Sequence, residues 1–166
     1  MGTRIRLAGA LTAAAALALT LTGTASAATA GAPTAEAAKP ALASAARSTT
    51  VKLNNWTGCT LTRENWWLSH GIWTYEPPVH IYDGQQGSWA SESNGFATGT
   101  EGYARFYADN CANPLLNSRI IQVHWNNPYV GSNSYDSSGT DLKFYVPQPA
   151  GGSGNNATAE FSAWGR

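Results

Sequence analysis

Two pairs of carboxylates are the residues of this chain whose types and spacing could carry out catalysis. Glu92 and Glu101 flank one glycine-rich segment, and Glu76 and Asp83 flank another. Glycoside hydrolysis uses two carboxyl groups that lie about 5–10 Å apart. Carboxylates at the ends of loops more often accept hydrogen bonds from turn amides, and no other feature of the sequence supports an active-site pair. We therefore expect no catalytic residue and no enzymatic activity.

The other residues with catalytic potential form no recognisable constellation. Ser88 and Ser91 lack the Gly-x-Ser-x-Gly turn that exposes the nucleophile of an α/β-hydrolase. His70, His80 and His124 do not have the spacing of a metal site. We interpret the histidines as structural hydrogen-bonding residues and predict neither a metal nor another cofactor.

The segment from Trp89 to Tyr103 is the strongest candidate for ligand recognition. It interleaves glycines, small hydroxyl residues, carboxylates and aromatic residues without a hydrophobic period. Glycine permits backbone conformations that a Cβ forbids, so polar and aromatic groups can lie close together here. The pattern is typical of a recognition loop between strands, and a glycine-rich hairpin without a ligand is the alternative. The candidate binding residues of this segment are Trp89, Glu92, Phe96, Glu101 and Tyr103.

Tryptophans near turns form a second group of candidates. Trp and Tyr place an apolar ring at the headgroup boundary of a membrane while the N–H or O–H group stays hydrated. If the adjacent residues Trp66 and Trp67 lie in a strand, they point to opposite faces, and one of them is expected to be exposed. We add Trp66, Trp67 and Trp73 to the candidate ligand-binding residues.

The first 46 residues are not predicted to belong to the folded domain. Two arginines precede an apolar run from Leu7 to Leu21, and small residues follow at Ala25–Ala27, so residues 1–27 are predicted to be a secretory signal peptide. The apolar run is shorter than the roughly 20 residues of a membrane-spanning helix. Residues 28–46 are rich in alanine and contain no aromatic residue, which predicts a disordered tether or a removable pro-segment.

Residues 47–166 contain all 18 aromatic residues of the chain and are long enough for one domain with one core. Seven basic and nine acidic residues give this region a net charge of −2. Nucleic acid is not an expected partner, because phosphate binding needs a concentrated basic face. We expect this domain to contact its ligand through aromatic rings and uncharged hydrogen-bonding groups.

The two cysteines, Cys59 and Cys111, are expected to form a disulfide in an oxidising compartment. The bond would close a loop of roughly 51 residues and contribute about 4 kcal/mol of stability. A reactive thiol pair or a metal site is the alternative, but the sequence has no Cys-x-x-Cys and no histidine at ligand spacing.

Alternation of apolar and polar residues recurs along residues 47–166 and predicts short, half-buried strands. Glycine, proline and asparagine turn signals separate them. The pattern predicts an all-β fold, a single antiparallel β-sandwich with little or no helix. Arg63–Ser69 is the one place for a short helix, and an irregular strand is the alternative there. Examples of the alternation are Val51–Leu53, Ala104–Phe106, Ile121–Val123 and Leu142–Val146.

Three motifs in this region resemble the aegerolysins and the related secreted hemolysin-like and crystal-protein-like proteins of bacteria and fungi. The motifs are Arg47-Ser48-x-x-Val51-x-Leu53-x-Asn55, Leu68-x-x-Gly71-x-Trp73, and Gly99-Thr100-Glu101-Gly102 leading into a strand. The resemblance covers most of the chain from Arg47 to Trp164. It implies an actinoporin-like β-sandwich that binds particular membrane lipids, often sphingolipid or sterol-associated ones. In several family members it also implies a separate pore-forming partner.

We therefore predict a secreted, aegerolysin-like cytolysin component, or toxin, that binds membrane lipids at the surface without spanning the membrane. A separate pore-forming protein would be its partner. The alternative is a secreted, lectin-like carbohydrate-binding module, because aromatic rings also stack on sugars while Asn, Asp and Glu bind the hydroxyls. A secreted protease inhibitor or toxin with a disulfide-stapled loop is a third class.

Overall fold

The structure, a computed structural model, describes residues 46–166. The predicted signal peptide (1–27) and all of the predicted tether except residue 46 lie outside the described residues. The described part of the chain forms eleven strands and one 3-10 turn, Pro114–Leu116. The strands are β1 (Ser48–Trp56), β2 (Thr60–His70), β3 (Ile72–Tyr75), β4 (His80–Ile81), β5 (Gln86–Glu92), β6 (Thr100–Asp109), β7 (Ile120–Asn127), β8 (Ser134–Asp136), β9 (Phe144–Tyr145), β10 (Ala150–Gly151) and β11 (Asn156–Gly165).

The strands form two sheets that pack face to face, which confirms the predicted β-sandwich. One sheet has the order β10-β11-β1-β5-β3, with β9 paired to the far end of β11. The other has the order β4-β2-β6-β7-β8. All pairings are antiparallel except that of β1 with β11, which is parallel. This parallel pair lets the first and last long strands of the domain lie side by side.

Strict alternation of burial explains why the long strands adopt this arrangement. In β1, β6, β7 and β11, every second side chain is buried and the intervening ones face outward. Successive side chains of a strand point to opposite faces, so each of these strands contributes one face to the core. Each sheet therefore keeps one outer face that solvent or a ligand can reach.

Large aromatic side chains fill the centre of the core. The Trp89 ring lies 5.8 Å from Phe106 and 6.3 Å from Trp125, measured between ring centroids, and all three side chains are fully buried. The Trp125 indole donates a hydrogen bond of 2.9 Å to the Ser91 hydroxyl on the opposite sheet. Thr100 donates a second one to the same oxygen, at 2.6 Å. A buried polar group needs such partners, and these bonds hold the two sheets in register.

The segment Arg63–Ser69, where the sequence permits a short helix, is part of β2. The strand is irregular, with register shifts between Arg63 and Asn65 and between Leu68 and His70. Trp66 lies opposite Ala104 and Trp67 opposite Tyr103, so the two tryptophans occupy opposite faces as the strand alternative requires. Pairing with the long strand β6 outweighs the weak local helix preference of this segment.

The predicted disulfide is confirmed between Cys59 and Cys111, which are 52 residues apart. It joins the residue just before β2 to the segment just after β6, and therefore ties together two neighbouring strands of the five-stranded sheet at one end of the sandwich. We call this end the disulfide end. Within the described range, no helix reaches the length and apolarity that crossing a bilayer requires.

Removing the disulfide is expected to destabilise the domain by about 4 kcal/mol, because a closed loop of this length restricts the unfolded chain. The double variant Cys59→Ala/Cys111→Ala should show this loss in urea denaturation at equilibrium. Wild-type protein kept under a strong reductant is the matched control and should lose a similar amount. A loss below about 1 kcal/mol in both would show that the bond adds little to folding stability.

Candidate functional site

The end of the sandwich opposite the disulfide is built from connecting segments, and we call it the loop end. It comprises Arg47, the turn at His70–Gly71, and the loops 93–99, 128–133 and 152–155. Gly71 makes the first of these turns possible, because its φ of +93° is rarely adopted by other residues. A Cβ at Gly71 would also collide with the carbonyl of Glu92 and approach the Thr100 hydroxyl to 2.9 Å.

A groove of about 400 Å³ lies between two of these loops. Loop 93–99 and the start of β6 form one wall, while the residues after β7 form the other. The walls lie close together at Gly99, where a Cβ would come within 2.5 Å of the Asn127 carbonyl. The lining residues are His70, Ala97, Thr98, Gly99, Thr100, Glu101, Asn126, Pro128 and Tyr129. Glu101 carries the one formal charge among these described residues at neutral pH.

Exposed apolar side chains stand directly beside both walls of the groove. Phe96, next to the lining residue Ala97, has 96% of its surface exposed, and Val130, next to Tyr129, has 82% exposed. Ile72 and Tyr129 at the same end are 42% and 40% exposed. Scattered apolar residues are normal on a surface, but several at one end of a domain beside a groove are typical of an interaction site.

Two side chains hold the loops of this end in place. The Arg47 guanidinium donates hydrogen bonds to the Tyr129 carbonyl and to the Asn155 side chain, and it lies 5.8 Å from the centre of the Tyr129 ring. The Arg47 carbonyl accepts a hydrogen bond of 2.8 Å from the Ser93 amide. The Asn127 side-chain amide donates to the carbonyls of Ser48 and Asn155, both at 2.9 Å. These bonds connect the three longer loops to the first residues of β1.

A second cavity, of about 560 Å³, adjoins the groove on the far side of Arg47. Its walls come from residues 131–135 and 148–155, and Arg47 is the one charged group among its described lining residues. The Tyr135 hydroxyl donates a hydrogen bond of 2.8 Å to the Gly152 carbonyl. Burial raises the pKa of Tyr135, and the hydrogen bond with Asn133 offsets this only in part, so the hydroxyl stays protonated as a donor.

A chain of titratable residues supports Glu101 at the rim of the groove. One imidazole nitrogen of His124 lies 3.2 Å from Glu101, and the other lies 2.9 Å from Asp136 on β8. The second oxygen of Glu101 faces His70 at 4.0 Å. Burial alone would raise the pKa of Asp136, but hydrogen bonds from Ser138 and the pairing with His124 outweigh it and hold that pKa below its ordinary value. The charged Asp136 orients His124, which in turn orients Glu101.

The structure brings two of the predicted site residues together at the groove. Glu101 lines it and Phe96 borders it. Tyr103 and Trp67 continue from Glu101 along the outer face of the sheet, with their ring centroids 6.4 Å apart, and Trp67 is 57% exposed. These four residues therefore lie along one accessible surface.

The remaining predicted site residues lie elsewhere. Trp89 is fully buried in the core, so we no longer assign it a ligand contact. Trp73 packs against Trp125, with the ring centroids 5.8 Å apart. Trp66 is half-buried beneath the Arg63 guanidinium, which lies 3.6 Å from its ring centre. Trp89 and Trp73 contribute to the core, which needs large side chains, and Trp66 stacks beneath Arg63.

Three of the four carboxylates considered for catalysis, Glu76, Asp83 and Glu101, have structural partners. Glu76 pairs with Arg63 at 3.5 Å, and Asp83 accepts a hydrogen bond of 2.8 Å from the Gly58 amide. Glu92 and Glu101 lie on strands of different sheets. Within residues 46–166, no three His, Cys, Asp or Glu side chains cluster in a way that could hold a metal ion.

Sequence reasoning missed several residues that shape this site. Arg47 enters the sequence analysis only as a basic residue and as part of a family motif, and the segment Tyr129–Val130 does not enter it. The signal that could have found the second segment is the apolar pair Tyr129-Val130 directly after a proline turn, since turns are otherwise polar. The role of Arg47 depends on distant loops and has no local signal.

The fold and the loop end together define a β-sandwich binding protein with exposed apolar residues beside a groove. The aegerolysin family model matches residues 47–160, and the chain belongs to the aegerolysin family. This result confirms the resemblance found in the sequence. A search of curated protein sequences finds no significant match.

Solved structures with a similar fold include two proteins of low sequence identity. The lipid binding protein Nakanori has a TM-score of 0.57 and 17% identity, over 74% of this chain and 73% of Nakanori. The RahU protein, solved in complex with a TRIS molecule, has a TM-score of 0.57 and 16% identity, over 74% of this chain and 97% of RahU.

The Asp136→Asn substitution is expected to lower the free energy of unfolding at neutral pH by about 1 kcal/mol or less, because the side chain is partly exposed and screened. A depressed pKa stabilises the fold above the ordinary value of 3.8, and this contribution is lost as the pH falls through the lower folded value. The difference between variant and wild type should therefore shrink as the pH falls below 3.8. Chemical denaturation from neutral to acid pH measures it, and a difference that stays constant would contradict this assignment.

Proposed function

We propose that this protein is a secreted, non-enzymatic lipid-binding protein that attaches to membrane surfaces through its loop end. The observation that carries the proposal is the exposure of Phe96 and Val130 on both sides of a groove whose loops are held by hydrogen bonds. Exposure of a phenylalanine ring to water is unfavourable. This cost is removed when the ring enters the apolar part of a bilayer.

The apolar tips alone would give weak and reversible attachment. Complete burial of one such side chain contributes about 1.5–3 kcal/mol, so Phe96 and Val130 together contribute about 3–6 kcal/mol. A dissociation constant of 1 mM already corresponds to about 4 kcal/mol. Tighter and selective binding therefore needs further contacts, and the groove between the two tips is placed to contact a lipid headgroup.

The composition of the groove favours hydrogen bonding over charge attraction. The hydroxyl of Thr98, the side-chain amide of Asn126 and backbone groups line it together with the carboxylate of Glu101. The described domain carries a net charge of −2, so anionic lipids would not attract it electrostatically. We infer that the preferred surface is electroneutral and that the groove selects the lipid.

The exposed rings of Trp67 and Tyr103 would extend this contact along the side of the sandwich. Tryptophan and tyrosine are favoured at the depth of the headgroups, where one part of the ring is apolar and the polar group is wet. Membership in the aegerolysin family and the similarity to Nakanori, described as a lipid binding protein, support lipid binding as the function.

Two further parts of the proposal concern location and lysis. The disulfide is compatible with secretion into an oxidising compartment, as directed by a signal peptide at residues 1–27. Lysis, where it occurs, would require a separate pore-forming protein or self-assembly, since this domain acts in membrane recognition.

Vesicle cosedimentation tests the role of the loop tips. Phosphatidylcholine vesicles with and without sphingomyelin and sterol are mixed with wild type, with Phe96→Ala/Val130→Ala, and with the control Leu142→Ala. Leu142 is 87% exposed and lies at the disulfide end, because the preceding residue, Asp141, donates a backbone hydrogen bond to Ile120 at the start of β7. We expect the double variant to bind at least about tenfold more weakly, with an unchanged melting temperature, and the control to bind as wild type.

Two results would contradict the proposal. Failure of wild type to sediment with every vesicle composition would remove the function, and equal binding by the double variant would move the contact elsewhere. Release of a trapped dye by the purified protein alone, at low concentration, would contradict the proposal that this domain recognises the membrane without perforating it.

A further inference from the structure

A row of exposed aromatic side chains lies at the disulfide end, on the outer face of the six-stranded sheet. Trp56 is paired with Trp164 in the register of β1 and β11, and Trp164 lies opposite Tyr145 of β9. The three side chains are 49%, 39% and 48% exposed. Trp164 and Tyr145 have ring centroids 5.9 Å apart and planes inclined by 33°, so the two neighbouring rings form an exposed apolar platform.

A network of uncharged and paired polar groups borders this platform. The Asn54 amide donates to Glu160 at 2.8 Å and to Ser162 at 3.2 Å, and Gln86 donates to Asn54 at 2.8 Å. Asn54 and Ser162 each precede a platform tryptophan by two positions and share its face of the sheet. Two positions along a strand span about 6.6 Å, close to the length of one sugar ring.

The charges beside the platform are of both signs. Lys52 lies next to Glu160 in the register of β1 and β11, and Glu160 also accepts hydrogen bonds from Asn54 and Gln86. The Arg166 guanidinium lies 5.1 Å from the centre of the Tyr145 ring. A surface of this kind offers no strong field to an ionic ligand, and it complements a neutral ligand with one apolar face and several hydroxyl groups.

We propose that this surface binds a neutral hexopyranose glycan. The rings of Trp164 and Tyr145 stack on the apolar face of a sugar, and the amides and hydroxyl of Asn54, Gln86 and Ser162 bind the hydroxyl groups of the neighbouring unit. Trp56 extends the platform across the next strand. The site is a second function of the molecule, independent of its lipid-binding loop end.

The two sites lie far enough apart to act together. Arg47 and the loop end adjoin the first residue of β1, whereas Trp56 is its last residue. Eight residue steps along a strand span about 26 Å. A protein attached to lipid at one end would therefore keep the aromatic platform available for a glycan on the same cell surface.

Retention by insoluble polysaccharides tests this proposal without lipid. Protein expressed from the full-length sequence is applied to cellulose, to chitin and to beads that carry mannan, and elution with free oligosaccharide follows. The variants are Trp164→Ala, the conservative Trp164→Phe, Tyr145→Ala, and the control Tyr107→Ala on the outer face of the opposite sheet. Melting temperatures verify that each variant is folded, and Tyr145→Ala keeps the test valid should Trp164→Ala fail to fold.

We expect at least one of the three polysaccharides to retain the wild type. Trp164→Ala and Tyr145→Ala should bind it about tenfold more weakly, the effect of truncating one anchoring aromatic residue, while Trp164→Phe and Tyr107→Ala should bind nearly as wild type. Trp164→Ala should sediment with vesicles as wild type does. Absence of retention by all three polysaccharides, or equal retention of both folded alanine variants, would overturn the proposal.

Discussion

A phenylalanine at a loop tip stays in water only if the loop that carries it is prevented from folding back onto the protein. At the loop end, hydrogen bonds from Arg47 and Asn127 supply this constraint. Arg47 contacts the backbone of loops 93–99 and 128–133, and both side chains contact Asn155. The tips that would enter a membrane and the walls of the groove between them depend on these few bonds.

Bonds within the body of the sandwich also restrain the strands that carry these loops. Ser91 accepts hydrogen bonds from Trp125 and Thr100 of the opposite sheet immediately below the groove, and the disulfide ties β2 to β6 at the other end of the sandwich. Because the inner faces of both sheets supply the core, the outer faces can carry aromatic residues that the core does not need. In our proposals, the loop end contacts the membrane, and the outer face of the six-stranded sheet binds a glycan.

The strands of this domain could be predicted from the sequence because alternating burial leaves a period-2 pattern, as in β1, β6, β7 and β11. The disulfide could be predicted because only two cysteines exist. Individual binding residues could not be predicted. The local sequence around a strand tryptophan does not show whether the side chain faces the core, as in Trp89, or solvent, as in Trp67. The importance of Arg47 also escaped prediction, because its partners are 46 to 108 residues distant.

Site-specific fluorescence measures most directly whether the loop end enters lipid. An environment-sensitive label on Phe96→Cys reports the polarity around that tip, and the same label on Leu142→Cys reports the opposite end. The account predicts that vesicle binding shifts the emission of the label at position 96 to shorter wavelength and leaves that at position 142 unchanged. Unchanged emission at position 96 in vesicle-bound protein would contradict it.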